Sequence, residues 1–449
     1  MFIPHTTADR EAMLNTIGAD SLEDLFQVVP ARHRFPELNL PPALTEMEAM
    51  AELRALAEAN ETVDELVSFL GAGAYNHYIP AAVDSILRRG EFYTAYTPYQ
   101  PEVSQGTLQA IFDYQSLIVA LTGMETSNAS HYDGATAVAE AASMAYANFR
   151  GKRKKVLLSP ALHPQYRETV RTYHNGSEVI VADTDREIDP LAGPEALIPF
   201  IDEDTSLVIV QYPDFFGRIY DLTSLAKAVH DAGALLAVST NPLSLGLLKP
   251  PGEFDADIVT GEGQTLGIPL SFGGPYLGIF ATRKDYIRKM AGRLVGETVD
   301  NRDQRAYVLT LTAREQHIRR EKATSNICTN QGLMALAATV YMSLLGKNGL
   351  HQVADLCYQK AHYAAQQISA LPGYQLWSDQ PFFNEFVVTC PVPASELNEH
   401  LLHHGIIGGY DLGKDYPQLD RRLLVAVTEM NTRDEIDLLV DVLAEVRHD

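Results

Sequence analysis

Short apolar segments in the middle of the chain constrain its fold more than any other sequence feature. They are rich in β-branched residues, and helical patterns separate the first four of them. The segments are residues 155–159, 178–181, 207–211, 234–238 and 257–259. Near-continuous apolar strands joined by helices predict an α/β fold with a mostly parallel sheet that is covered on both faces. Such a sheet places a ligand site at the carboxyl ends of its strands.

The patterning predicts three zones. Residues 1–60 form an N-terminal helical arm, in which two helical runs flank a Pro-rich linker. The arm packs either on a partner subunit or on its own chain. Residues 61–330 form the large α/β domain, and residues 331–449 form linking helices and a small α+β domain.

The charge balance narrows the function classes. The chain carries 35 Lys and Arg against 58 Asp and Glu, a net charge of −23, which repels nucleic acids and anionic membranes. The three cysteines form no CxxC pattern, which disfavours a disulfide framework and a structural metal site. The first thirty residues lack the apolar stretch of a signal peptide, and no apolar run is long enough for a bilayer. We therefore expect a cytoplasmic protein.

A helix of small residues that begins at Gly134 is a candidate ligand site. Unpaired N–H groups at such a helix start can bind an anion. The alternative is a tight Ala-rich helix packed on the sheet. The order of parts resembles the pyridoxal-phosphate enzymes of fold type I, typified by aspartate aminotransferase. In that plan a phosphate sits at the helix start, an Asp on a later strand pairs with the pyridine nitrogen, and a Lys after the next strand forms the Schiff base.

Three long strings resemble one family, the P-protein of the glycine cleavage system, over the whole chain. The strings are residues 69–75, 93–106 and 314–328. In this family the enzyme, glycine dehydrogenase (decarboxylating), occurs as one long chain or as two half-length chains. The length of this chain and its Ser-Phe-Gly-Gly-Pro-Tyr segment at 271–276 resemble the N-terminal half, which is subunit 1 or alpha.

Two residues depart from the cofactor-binding pattern. The catalytic half of the family carries His-Lys-Thr shortly before an Ile-Pro, and here Gln264 precedes Ile268-Pro269 at the expected lysine position. The strand that should end in Asp has Ala237 near that position and no carboxylate. The resemblance therefore implies that this chain has no catalytic residue of its own and binds no cofactor. Pyridoxal phosphate is expected on the beta subunit.

The resemblance also implies the reaction and the partners. With the beta subunit, in an αβ or α2β2 assembly, the chain would decarboxylate glycine through pyridoxal phosphate and release CO2. The aminomethyl group would pass to the lipoyl arm of H-protein. Two alternatives stay open: an independent pyridoxal-phosphate lyase or transaminase that uses Lys249, and a non-catalytic binding relic.

Two of the strings are candidates for a wall of the partner's active site. The first concentrates polar and aromatic residues just before a helix: Tyr96, Tyr99, Gln100, Glu102 and Gln105. The second is a cationic and polar string: Arg319, Arg320, Lys322, Thr324, Ser325 and Asn326. In an acidic chain, such a string can attract a carboxylate or an acidic partner. The alternatives are an interface loop without substrate contact and a face held by salt bridges within the chain.

Overall fold

The structure is a computed structural model that describes residues 4–446. The chain divides into two compact units, of which the first ends at Glu61 and the second begins at Thr62. The further division of the second unit at residue 330, into a large and a small domain, stays a prediction.

The first unit contains two α-helices, α1 (Thr7–Ile17) and α2 (Glu46–Glu58). Thr6 and Thr45 each begin a capping box, in which the Thr hydroxyl accepts a hydrogen bond from the backbone N–H three residues on. No residue of either helix is buried. The helices are therefore held by their caps rather than by a core of this unit.

The second unit contains the sheets. Its α-helices are α3 (Ala81–Leu87), α4 (Gly90–Tyr93), α5 (Gln105–Thr122), α6 (Gly134–Asn148), α7 (Pro164–His174), α8 (Thr184–Glu187), α9 (Thr223–Asp231), α10 (Gln316–Arg319), α11 (Gly332–Ser369), α12 (Ala394–His403) and α13 (Arg433–Glu445). Its strands are β1 (Val67–Ser68), β2 (Thr126–Ser127), β3 (Lys155–Leu158), β4 (Ile180–Val181), β5 (Thr205–Tyr212), β6 (Leu235–Thr240), β7 (Ile258–Glu262), β8 (Gly278–Thr282), β9 (Leu294–Val299), β10 (Arg305–Thr310), β11 (Gln375–Leu376), β12 (Glu385–Thr389), β13 (Ile406–Ile407), β14 (Tyr410–Asp411) and β15 (Arg422–Ala426).

The main sheet has seven strands in the order β2-β8-β7-β6-β5-β3-β4. The five strands β3 to β7 are mutually parallel. Strand β8 is antiparallel to β7, and β2 is antiparallel to β8. This sheet confirms the mostly parallel architecture that the apolar segments predict. The carboxyl ends of its parallel strands lie side by side, and this side of the sheet is called the sheet edge below. Strand β7 is followed there by a short turn.

Both faces of the sheet are covered. Ile209 and Ala237 point into the apolar cluster that α6 and α7 complete, while the adjacent Val210 and Val238 point into the cluster that includes α5, α9 and α11. This alternation follows from the two-residue period of a strand. Helix α6 buries a row of alanines on the sheet, which lets its backbone approach the strands closely.

A second sheet, in the order β11-β12-β15-β14, is antiparallel. Helices α12 and α13 pack in one apolar cluster with it. The sequence predicts a helix break at 346–349, and in the structure α11 has a single non-helical residue there, Gly346. The β9–β10 hairpin was not predicted. Among the described residues, no helix is both long and apolar enough to cross a membrane.

Gly217 provides a test of how the two sheets meet. Its φ is +84°, and a side-chain carbon there would lie 2.0 Å from the carbonyl oxygen of Glu385, the first residue of β12. We expect Gly217→Ala to lower the free energy of unfolding by roughly 2–4 kcal/mol, because left-handed strain and steric overlap act together. Gly176→Ala is the matched control, since Gly176 has a φ of +81° and open space around it.

Urea unfolding of both variants measures the difference. We expect Gly176→Ala to cost about 1 kcal/mol, the strain alone. Equal losses in the two variants would contradict the close approach of the β5–α9 loop to β12.

Candidate functional site

Gln264 lies in the turn that follows β7, and its side chain is buried. Its amide oxygen accepts a hydrogen bond from the Tyr75 N–H at 2.9 Å. Its amide nitrogen donates to the carbonyl oxygens of Tyr75 at 2.9 Å and of Ile268 at 2.8 Å. The side chain thus pairs with the Tyr75 backbone in both directions, as a neighbouring strand would. Gln264 holds the 69–75 loop at the sheet edge, and an amide cannot condense with an aldehyde.

Glu262 is the last residue of β7. One carboxyl oxygen accepts a hydrogen bond from the Gly134 N–H at 2.9 Å, and the other accepts from the N–H groups of Gln264 and Leu277, both at 3.1 Å. Burial raises the pKa of the Glu262 carboxyl to about 8, and the N–H donors act against that rise. The carboxyl group is therefore fixed by backbone donors from three segments.

Gly134 is the first residue of α6, the helix start that the sequence singles out as an anion site. A side-chain carbon at this position would lie 2.6 Å from the Tyr166 hydroxyl and 3.1 Å from Cβ of Glu262. The Asp133 carboxylate caps the helix by accepting a hydrogen bond from the Thr136 N–H at 2.7 Å. The start of α6 is thus closed by side chains of the chain itself.

Strand β6 is where the family pattern requires an Asp. Ala237 lies buried in the middle of this strand, between Ile209 of β5 and Ile258 of β7. The strand ends in Ser239 and Thr240, so it carries no carboxylate. A methyl group cannot hold a proton on a pyridine nitrogen.

His163 caps α7 and is nearly buried. Its ring stacks on Tyr166, with the centroids 4.6 Å apart and the planes at 16°. Its Nε2 lies 2.8 Å from the carbonyl oxygen of Ala72, which can only accept, so Nε2 carries the hydrogen. Burial lowers the pKa of His163 to about 4, which keeps the ring neutral. This histidine has a structural role.

Lys249, the remaining lysine candidate, is exposed, and its Nζ lies 4.3 Å from the ring centroid of Phe254. The family resemblance predicts a lysine at position 264, an Asp near position 237 and an anion site at the start of α6. The structure has a hydrogen-bonded amide at Gln264, a buried methyl at Ala237 and the Glu262 carboxyl at the start of α6. The residues of this chain do not fit that cofactor.

The 93–105 segment lies on the surface. Its exposed candidates are Tyr96, Tyr99, Gln100 and Glu102. Tyr96 has 88% of its surface exposed. Gln105 differs, because its amide pairs in both directions with the Tyr307 backbone at 2.9 Å. It fixes the segment against β10.

The cationic string is exposed at Arg320 and Lys322 and half-buried at Thr324 and Ser325. Within residues 4–446, no carboxylate lies in ion-pair contact with Arg319, Arg320 or Lys322. The Ser325 hydroxyl donates to the Glu140 carboxyl at 2.6 Å, and burial raises the pKa of Glu140 to about 7. Asn326 is exposed.

The structure brings the two strings together. The rings of Tyr99 and His317 are 5.9 Å apart, in an edge-to-face arrangement. Tyr99 and Arg320 line one cleft of about 400 Å³. The remaining members of the cationic string line a second cleft of about 570 Å³, together with Arg150 and Arg288: Arg319, Lys322, Thr324, Ser325 and Asn326.

Sequence reasoning missed two glutamates. Glu262 ends one apolar strand, and Glu385 begins another. The Glu385 carboxyl accepts hydrogen bonds at 2.7 Å from the Ala72 N–H and from the Tyr75 hydroxyl, and burial raises its pKa to about 7. A lone acidic residue beside an apolar strand is the signal that could have found both.

Gln264→Lys tests the closed sheet edge. We expect no Schiff base when pyridoxal phosphate is added, because Glu262 still closes the start of α6. We also expect the free energy of unfolding to fall by about 2–3 kcal/mol, since the Tyr75 backbone loses its partners. Borohydride trapping followed by mass spectrometry checks the first point, with the unchanged chain and Lys249→Ala as controls. An adduct at residue 264, or at Lys249 in the unchanged chain, would contradict it.

Comparisons with known proteins cover the full length of the chain. The family model described as "Glycine cleavage system P-protein" matches residues 1–443. Relatives named "Probable glycine dehydrogenase (decarboxylating) subunit 1" include those of Thermomicrobium roseum, 55% identical over 99% of both chains, and Desulforamulus reducens, 53% identical over 99% of both. That of Geobacillus kaustophilus is 52% identical over 99% of this chain and 98% of its own.

Solved structures agree. The crystal structure of a glycine decarboxylase (P-protein) of the glycine cleavage system, in inhibitor-bound form, has a TM-score of 0.91 at 42% identity over 99% of each chain. A NifS-like protein has a TM-score of 0.61 at 14% identity over 85% of this chain and 98% of its own. This likeness concerns the fold alone, and it confirms the predicted fold type I class. Sequence and structure together establish that the chain belongs to the glycine cleavage system P-protein family.

Proposed function

We propose that this chain is the alpha half of a two-chain glycine dehydrogenase (decarboxylating) and that a beta subunit carries the pyridoxal phosphate. Together the subunits decarboxylate glycine, release CO2 and pass the aminomethyl group to the lipoyl arm of H-protein. The names of the relatives support the reaction and the presence of a second subunit. The location is the cytoplasm, and no nucleic acid or membrane is involved.

The closed edge of the main sheet is the observation that carries this proposal. Gln264 and Glu262 make hydrogen bonds to backbone groups at the positions that a cofactor would use. A chain that lacks the Schiff-base lysine cannot run the decarboxylation alone, because the cofactor supplies the electron sink. The cofactor must therefore sit on another chain.

The contribution of this chain is a wall of the partner's active site. The wall is built from the two strings that meet at Tyr99: Tyr96, Tyr99, Gln100, Glu102, Gln105, Arg320, Lys322, Thr324, Ser325 and Asn326. Arg320 and Lys322 suit the carboxylate of glycine or an acidic partner, because no ion pair within residues 4–446 neutralises them. Exposed tyrosines such as Tyr96 suit a protein interface.

The arm also supports pairing with another subunit. Its exposed apolar residues include Val28 at 92%, Met47 at 78% and Leu40 at 70%. Apolar side chains exposed to this extent indicate a surface that another protein covers. We propose that the arm and the 93–105 segment lie in the contact with the beta subunit, in an αβ unit or an α2β2 assembly.

Reconstitution tests the function. We expect this chain alone to show no glycine–bicarbonate exchange, and we expect exchange when the beta subunit and lipoylated H-protein are added. Arg320→Ala should reduce the exchange of the mixture by about tenfold or more, since it removes an unpaired cation from the wall. Arg302→Ala, an exposed arginine in the β9–β10 turn, is the matched control and should leave the exchange unchanged.

Two outcomes would reject the proposal. Exchange by the beta subunit and H-protein without this chain, at the rate of the full mixture, would make the chain a bystander. An equal loss of glycine–bicarbonate exchange in Arg320→Ala and Arg302→Ala would reject the proposal that Arg320 belongs to a wall of the partner's active site.

Light scattering tests the assembly. We expect the isolated chain to be a homodimer or a poorly soluble monomer, because a self-complementary surface can pair with itself when the beta subunit is absent. Adding the beta subunit should shift the mass to that of αβ or α2β2. A stable monomer whose mass does not change on that addition would contradict the proposed pairing.

A further inference from the structure

Three potential metal ligands meet where α12 ends against α13. His400 lies on α12, His404 directly follows its last residue, and Glu445 is the last residue of α13. Residues four apart on a helix share a face, so both imidazoles can point at one carboxylate. We propose that His400, His404 and Glu445 form a binding site for a divalent transition-metal ion of the zinc type.

The distances fit a shared ion rather than direct hydrogen bonds. Oε2 of Glu445 lies 3.6 Å from Nε2 of His400 and 3.7 Å from Nε2 of His404. These distances are too long for hydrogen bonds. Ligand atoms that share a tetrahedral Zn²⁺ at about 2.1 Å lie roughly 3.4 Å apart. Each of the two distances between the carboxylate and an imidazole needs to shorten by only a few tenths of an ångström.

In the part of the chain that the structure describes, no hydrogen bond ties up the three ligand atoms. Nε2 of His400 is buried and makes no hydrogen bond. Within residues 4–446, the only ion-pair contacts of Glu445 are those to the two histidines. A buried polar atom without a partner is costly, and metal coordination would remove that cost.

The position on the fold also favours a cation. The carbonyl groups at the carboxyl end of α12 carry partial negative charge, which attracts a positive ion. The side chains of His404 and Glu445 are 39% and 56% exposed, so the ion can enter from solvent. Two imidazoles and one carboxylate leave a fourth position for water, as three-ligand zinc sites do.

A second group of three provides a contrast. His77, Cys357 and Glu429 also lie together, and all are largely buried. There, however, Nδ1 of His77 is 2.7 Å from Oε2 of Glu429, which is a direct hydrogen bond. That bond leaves no space for an ion between the two side chains, so this group is a hydrogen-bonded pair and does not have the geometry of a metal site.

A metal ion at the proposed site would link the end of α12 to the end of α13. These two helices pack with the four-stranded sheet. The inference does not depend on the proposed enzymatic function, because the three residues lie outside the candidate wall and the closed sheet edge. The cysteine pattern disfavours a structural metal site, and the proposed site contains no cysteine.

Equilibrium dialysis of the full-length chain with Zn²⁺, without any affinity tag, tests the proposal. We expect one Zn²⁺ per chain, and we expect His404→Ala and Glu445→Gln each to weaken binding by about tenfold or more, since each removes a ligand. His403→Ala is the matched control, because this histidine lies on the same turn of α12 but outside the ligand group. It should bind Zn²⁺ as the unchanged chain does.

Thermal unfolding gives a second measurement. Zn²⁺ should raise the melting temperature of the unchanged chain and of His403→Ala, and it should have no effect on His404→Ala. The absence of saturable one-to-one binding would overturn the proposal. An equal loss of Zn²⁺ binding in His403→Ala and His404→Ala would also overturn it. So would a loss of Zn²⁺ binding in Cys357→Ser alone, because that variant changes the second group of three.

Discussion

The hydrogen bonds of Gln264 and Glu262 hold the carboxyl edge of the main sheet together. Each side chain makes three bonds to backbone groups, which belong to the 69–75 loop, the start of α6, the segment before β8 and the turn after β7 itself. A buried N–H or carbonyl group without a partner costs roughly 1–3 kcal/mol. Neither side chain can turn toward a ligand without leaving several such groups unpaired.

Glu385 extends this network to the four-stranded sheet. Its carboxyl group binds the Ala72 N–H and the Tyr75 hydroxyl, while Gln264 binds the Tyr75 backbone. The 69–75 loop is thus held from β12 on one side and from β7 on the other. Because one short loop makes both sets of bonds, the relative position of the two sheets within the second unit depends on it.

The sequence predicts the main sheet because its buried parallel strands are short runs of β-branched residues, a pattern that local composition determines. The family resemblance also predicts that Gln264 takes the position of the Schiff-base lysine, since Ile268-Pro269 provides a fixed point to count from. The sequence does not predict the contact between Glu262 and Gly134, 128 residues apart, or that between Glu385 and Ala72, 313 residues apart. Such contacts depend on the tertiary fold. The β9–β10 hairpin was missed because β9 changes from buried to exposed along its length and shows neither a continuous apolar run nor a clean alternation.

Because Gln264 and Glu262 are engaged in hydrogen bonds at the carboxyl ends of the strands, they are not available to bind other molecules. A ligand that binds only the folded state stabilises it, and an empty cavity in its place would cost packing energy. Here the side chains of Glu262 and Tyr166 occupy the space beside Gly134 at the start of α6. On the surface, no carboxylate of residues 4–446 lies in ion-pair contact with Arg320 or Lys322, although the chain has a net charge of −23. Their attraction to a carboxylate is opposed by the acidic remainder of the surface, so it is effective only at short range. We therefore expect that a partner which uses this string, as proposed for the beta subunit, brings an anionic group into direct contact with it.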